Sequence, residues 1–127
     1  MTSTMFHRQL LMVALVIMVA ALGCSKKSSN PTSSNTGGTH FNSGNMAGNG
    51  AVFSVVFTKV EAVPYHCAYH VDMTGVINVS AASSTPVLHN ISMVSLTFSP
   101  SSLEVHVNDT VKWTNGSGSP HTVTSDN

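Results

Sequence analysis

Seven consecutive residues, Cys67 to Met73, place a thiol, an imidazole and a thioether in one short stretch of the chain. Cys67, His70 and Met73 are each separated by two residues, so a single loop can present all three side chains. Soft sulfur together with imidazole selects copper, and a Cys with two His and a weak axial Met is the electron-transfer form of that donor set. The loop therefore predicts three of the four ligands of a copper site, and a second His must come from elsewhere in the chain.

The composition indicates one domain and gives no sign of a nucleic-acid partner. The chain has 127 residues, a formal net charge of +0, and only 5 Lys and Arg against 5 Asp and Glu. A chain of this size has room for a single core. It has no basic stripe that could neutralise a phosphate backbone. Function is therefore expected to rest on the donor residues rather than on surface charge.

The N-terminal segment has the parts of a bacterial export signal. Arg8 supplies a positive charge, residues 10–22 form an unbroken apolar run, and Gly23 precedes Cys24. Such a run is short for a bilayer span and suits the core of a signal peptide. The segment resembles a lipoprotein signal, in which the Cys is acylated and becomes the first mature residue. We expect residues 1–23 to be a signal peptide and Cys24 to be lipidated; ordinary secretion and a retained N-terminal anchor are the alternatives.

Residues 24–38 have the composition of a tether. They are mostly Ser, Asn, Thr, Lys and Gly, which cannot bury a core and behave as a flexible coil. With an acylated Cys24, this tether would hold the following domain off a membrane. We therefore expect an exported, lipid-anchored protein of the cell envelope, on the periplasmic or outer face and not in the cytoplasm.

From residue 39 onward the pattern predicts an all-β domain. Short β-branched or aromatic runs are separated by Gly, Pro, Asn, Asp and Ser, and no window keeps a helical period. With the pieces around Tyr65 and His121, these runs amount to about seven or eight strands in ~90 residues, the number of a small β-sandwich. Asn108 and Asp109 are predicted to form a tight turn. The clearest predicted strands are Val52–Phe57, Val76–Val79, Met93–Phe98, Leu103–Val107 and Thr110–Thr114.

Two segments carry a resemblance to a known family. Residues 63–79, with Cys67, His70 and Met73, resemble the C-terminal part of the cupredoxins, the blue copper proteins that include plastocyanin, amicyanin and pseudoazurin. Residues 98–126, with a Trp113-Thr-Asn run and a Pro-His pair at His121, resemble the N-terminal part of the same family. The resemblance implies a Greek-key β-sandwich, but the two parts occur here in the inverted order.

The inverted order indicates a circular permutation. Residues 91–127 placed before residues 39–79 read as a complete cupredoxin, and residues 80–90 become the new connection. That connection can extend about 35 Å at ~3.3 Å per residue, enough to run along a small domain. Permutation is tolerated where termini lie close together and the cut is in an exposed loop. The alternatives are a truncated tandem of two half-domains, which leaves strand edges unpaired, and a swapped dimer. We favour a monomer closed within one chain.

The resemblance also completes the ligand set. It implies that Cys67, His70 and His121 lie around one copper ion, with Met73 as a long axial ligand. The residue after His121 is Thr122, where many members of the resembled family have Asn. The residue after Cys67 is Ala68, where many members have Ser or Thr. Thr122 is expected to hydrogen-bond across the loop, which Ala68 cannot do with its side chain. The other histidines outside the signal segment are expected not to bind the metal; they are His40, His66, His89 and His106.

A closed set of four ligands implies one-electron transfer rather than catalysis. In the resembled family the second His of the loop, here His70, lies at the surface within an apolar patch, which Tyr69 and Val71 could supply. Partners are expected to be redox proteins that bind transiently. The alternatives are a copper-delivery protein of the envelope, a metal-free interaction domain, and a Cys24–Cys67 disulfide in place of the metal site. An oxidase is disfavoured because further paired His motifs are absent.

Overall fold

The computed structural model describes residues 40–126, and the protein is all-β over that range. The expected signal peptide, the lipidated Cys24 and the tether lie outside the described residues. No helix occurs in residues 40–126, so no helical segment there is long and apolar enough to cross a membrane. The strands are β1 Ala51–Val56, β2 Glu61–Cys67, β3 His70–Ser80, β4 Leu88–Val94, β5 Thr97–Ser99, β6 Ser102–His106, β7 Thr110–Asn115 and β8 Thr124–Ser125.

These eight strands form two mixed sheets of four strands each. The first has the order β1-β7-β4-β5, in which β4 and β7 are parallel and the other neighbours antiparallel. The second has the order β6-β3-β2-β8, in which β3 and β6 are parallel. Two facing sheets without a helix agree with the predicted β-sandwich.

Alternating apolar residues bring the sheets together. In β7 every second residue is buried, and Trp113 lies at the centre with no exposed surface. In β2 the same period buries Val63, Tyr65 and Cys67. The Tyr65 and Trp113 rings meet edge to face, with their centroids 5.5 Å apart, so the two sheets contact through these side chains. Cys67 therefore lies at the end of a row of core residues.

The segments before and after the connection at residues 81–87 pair with each other along their lengths. β1 pairs with β7, β2 with β8, and β3 with β6, so each of these pairs joins the first segment to the second within one chain. The connection itself is exposed. Its end is fixed by the buried Asp109, whose Oδ1 accepts a 2.7 Å hydrogen bond from the Val87 amide. The two segments thus share one core.

One predicted strand differs from the structure, and one predicted turn agrees with it. The strand predicted over residues 93–98 is in fact two strands, β4 and β5, because the chain turns at Ser95, which has a φ of 55°. A turn at a Ser with positive φ has no Gly or Asn to signal it. The turn predicted at Asn108 and Asp109 is confirmed, and Asn108 has a φ of 78°.

Candidate metal site

The turn between β2 and β3 brings Cys67 and His70 together. The two residues are cross-strand partners, and Ala68 and Tyr69 form the turn that joins them. The register shifts between His66 and Cys67, so the strand ends irregularly at the thiol. The Cys67 Sγ lies 3.4 Å from the His70 Nδ1. A spacing of two residues thus places a sulfur and an imidazole nitrogen side by side.

His121 reaches the same point from the C-terminal segment. Its amide and carbonyl exchange two hydrogen bonds with the backbone of Met46, at 3.1 and 2.9 Å, which fixes the backbone position of His121. The His121 Nδ1 lies 3.7 Å from the Cys67 Sγ. The two imidazole rings are 4.8 Å apart between centroids. Both histidines therefore present Nδ1 to one sulfur.

The three donor atoms lie as close together as ligands of one ion. One donor atom from each of Cys67, His70 and His121 is within 4.8 Å of the others. Nitrogen and sulfur ligands lie about 2.0 and about 2.3 Å from an ion such as zinc, which puts them about 3.5–3.7 Å apart around it for tetrahedral to trigonal angles. The two sulfur–nitrogen separations in the structure, 3.4 and 3.7 Å, are close to that range. This group could hold a metal ion.

Burial sets the electrostatics of the group. Cys67 and His121 are buried and His70 is half-buried. Burial lowers the pKa of His121, the neighbouring His70 lowers it further, and the backbone of Ser95 opposes both effects. A neutral imidazole is the form that binds a metal. The surroundings of His121 therefore favour its metal-binding form.

Thr122 links the thiol loop to the segment that carries His121. Its backbone N–H donates to the Cys67 Sγ at 3.3 Å. Its Oγ1 accepts a 2.7 Å hydrogen bond from the Ala68 amide, so the hydrogen bond expected across the loop is confirmed. An N–H that donates to a metal-bound thiolate changes the electronic character of that ligand. Thr122 therefore holds the sulfur in two ways, directly and through the loop.

The surroundings of Met73 and of two other histidines, His66 and His89, bear on whether they could join the three donors. Met73 is buried on β3 in the same core cluster as Cys67. His66 faces away from the core and pairs with Asp126. The His89 Nε2 lies 2.9 Å from the Asp109 carboxylate. The three donors that the structure groups are thus Cys67, His70 and His121, and the place of Met73 as fourth ligand stays a prediction.

One residue beside the site carries no signal in the sequence. The Ser117 Oγ lies 2.9 Å from the His121 Nε2, on the side of the ring opposite to the sulfur. Ser117 belongs to an Asn-Gly-Ser-Gly-Ser run, a composition that indicates only a loop.

Comparison of the chain with protein-family models, with curated proteins and with solved structures finds no match in any of the three.

Proposed function

We propose that the protein is a type 1 copper protein that transfers single electrons, with the fold of a circularly permuted cupredoxin. The observation that carries this proposal is the buried group of one thiol and two imidazoles formed by Cys67, His70 and His121. Thiolate and imidazole suit copper, and a trigonal Cys-His-His set with a weak axial Met is the arrangement of electron-transfer sites. Met73 is the proposed axial ligand.

The donor set supports electron transfer better than catalysis. Three donors from two separate segments, with Met73 as a fourth, would leave no position open for a substrate. The backbone bonds at Met46 and the Thr122 contacts hold the donors in place, so the ligands would need to move little between oxidation states. Bound copper would supply the one-electron exchange between Cu(I) and Cu(II).

The surroundings of His70 suit a transient redox partner. His121 is fully buried, whereas the half-buried His70 is nearer to solvent and is the proposed exit for the electron. Tyr69 and Val71 flank it and are 53% and 94% exposed. Val94 and Leu96 are also exposed, on either side of Ser95, whose backbone faces His121. Exposed apolar side chains beside a site permit brief contacts of small area.

The strand pairing supports the permutation within one chain. The first segment contributes Cys67 and His70, the second contributes His121, and three strand pairs join the segments. A metal bound between them would add its binding free energy to the stability of the fold. We further propose that the domain is exported and tethered to a membrane through Cys24, as the N-terminal pattern indicates.

The proposal is tested by adding Cu(II) to the purified protein and following its visible absorption through reduction and reoxidation. We expect an intense colour from thiolate-to-copper charge transfer that is lost on reduction and returns on reoxidation. His121→Ala should open the site to external ligands and change the spectrum. His66→Ala is the matched control, since His66 adjoins Cys67 but pairs with Asp126. A colourless protein that binds only Cu(I) would favour copper delivery instead.

A further inference from the structure

The Ser117 hydroxyl contacts the one nitrogen of His121 that does not face Cys67. The Nε2–Oγ distance is 2.9 Å, and the ring itself is fully buried. A neutral imidazole carries its hydrogen on one nitrogen only, and the hydrogen bond made there fixes which nitrogen is free. Alongside the backbone of Ser95, which also contacts the ring, the direction of the Ser117 contact therefore bears on which nitrogen of His121 is available as a ligand.

The hydrogen bonds of Asn115 favour one direction for that contact. The Asn115 Nδ2 faces the carbonyl oxygens of Met46, Ala47 and Ser119, at 2.9, 3.2 and 2.8 Å, so it must be the amide nitrogen. The Asn115 Oδ1 then faces Ser117 and can only accept. It accepts from the Ser117 amide at 3.1 Å and lies 2.8 Å from the Ser117 Oγ.

The Ser117 hydroxyl thus has acceptors for its own proton on one side. The Asn115 Oδ1 and the Ser119 carbonyl, at 2.8 and 3.0 Å, can take it, while the Ser119 amide donates back to the Oγ at 3.2 Å. One lone pair then remains on the Oγ to accept a hydrogen from the His121 Nε2. A hydrogen on Nε2 completes this network, and a bare Nε2 does not.

The loop that contains Ser117, residues 115–119, is also held by contacts with residues 46–49. A Cβ added at Gly48 would lie 2.7 Å from the Ser117 carbonyl oxygen, so this close approach requires glycine. The Asn49 amide donates to the same oxygen at 2.9 Å. The buried Asn115 amide ties the loop to the segment at Met46, which also pairs with the His121 backbone. Ser117 is therefore fixed relative to the ring that it contacts.

We propose that Ser117 is a positioning residue that keeps the hydrogen of His121 on Nε2 and leaves the Nδ1 lone pair free to face Cys67. The hydroxyl acts on the ring orientation and on the basicity of Nδ1, as hydrogen-bond partners of metal-binding histidines do. The tautomer is a property of the metal-free protein. The effects on copper binding rest in addition on the proposed function.

The first test is nitrogen-15 NMR of the metal-free protein at about pH 8, above the ordinary histidine pKa of about 6.5. The long-range couplings of the His121 ring, assigned by their loss in His121→Ala, report which nitrogen carries the hydrogen. We expect Nε2–H in the wild type, a shift toward a mixture in Ser117→Ala, and Nε2–H again in Ser117→Thr. Ser119→Ala is the matched control, because only its backbone enters the network.

The second test is the competition of these variants with a chelator for Cu(II). We expect Ser117→Ala to bind about 10–100-fold more weakly, as is typical when the partner of a ligand is lost, and its reduction potential to rise because the weaker Nδ1 donor stabilises Cu(II) less. Ser117→Thr should restore both values. Wild-type His121 with its hydrogen on Nδ1, or a folded Ser117→Ala with unchanged tautomer and affinity, would overturn the proposal. A tautomer that is Nε2–H in the wild type and shifts in Ser117→Ala, in a protein without any copper colour, would uphold Ser117 and refute the electron-transfer function instead.

Discussion

Replacement of Thr122 by Val tests how the thiol loop is attached to the rest of the site. Valine keeps the shape of the side chain and the backbone N–H that donates to the Cys67 Sγ. It removes the Oγ1 that accepts the 2.7 Å hydrogen bond from the Ala68 amide. The change therefore removes the side-chain bond that ties the turn to the segment of His121, together with the weaker 3.3 Å bond that the Oγ1 accepts from the Thr124 hydroxyl.

The size of the effect follows from the surroundings of the two partners. Thr122 is buried, whereas Ala68 lies at the exposed turn and its amide can recover water. The loss of unfolding free energy should lie near the net value of one hydrogen bond, about 1 kcal/mol. A fully buried donor left unpaired would cost about 3 kcal/mol. In a domain of this size 1 kcal/mol lowers Tm by about 4–8 °C.

The measurements are thermal unfolding of the metal-free protein and hydrogen exchange of the Ala68 amide. We expect Thr122→Val to lower Tm and to lose protection at Ala68, and Thr122→Ser to keep that protection because its hydroxyl remains. Thr74→Val is the control for the chemical change, since Thr74 is exposed on β3 and should move stability by less than about 0.5 kcal/mol. Wild-type stability together with a protected Ala68 amide in Thr122→Val would refute this reasoning.

Three further changes test the core, the far end of the sandwich and the axial position. Gly75→Ala should cost about 1–3 kcal/mol in urea unfolding, because the new Cβ would meet the buried Tyr65 ring; Gly118→Ala, in open space, should cost less than about 0.5 kcal/mol, and equal costs would contradict the packing. Hydrogen bonds hold the pKa of Asp109 at about 2, below its ordinary value of 3.8, so stability should fall as pH drops through that interval. Asp109→Asn should flatten this dependence in urea unfolding, and an unchanged slope would exclude Asp109 as its source. Met73→Leu should raise the reduction potential measured by voltammetry, because Cu(II) loses a donor; an unchanged potential would remove Met73 from the ligand set.

The sequence predicts the strands better where one face is buried than where the chain turns. β1 and β7 follow from alternation around Phe53 and Trp113, whose side chains enter the core. The break at Ser95 could not be predicted, because a positive φ at Ser depends on the surrounding fold rather than on the residue type.

The candidate site shows a similar contrast between local structure, which the sequence predicts, and long-range contacts, which it does not. Cys67 and His70 are predictable from their spacing, because a two-residue turn is a local structure. His121 lies 54 residues from Cys67, so its position depends on the pairing of distant segments. Only the resemblance to a family predicted it as a ligand. Ser117 acts through a network of long-range and loop contacts centred on Asn115 that leaves no pattern in the sequence.

The most direct test of the account is the X-ray absorption spectrum of the copper-loaded protein at the copper edge. We expect one short copper–sulfur distance and two copper–nitrogen distances, from Cys67, His70 and His121. Cys67→Ser should remove the short sulfur distance, and His66→Ala should leave the spectrum unchanged. A first coordination shell without sulfur in the wild type, or a short sulfur distance that survives Cys67→Ser, would contradict the account.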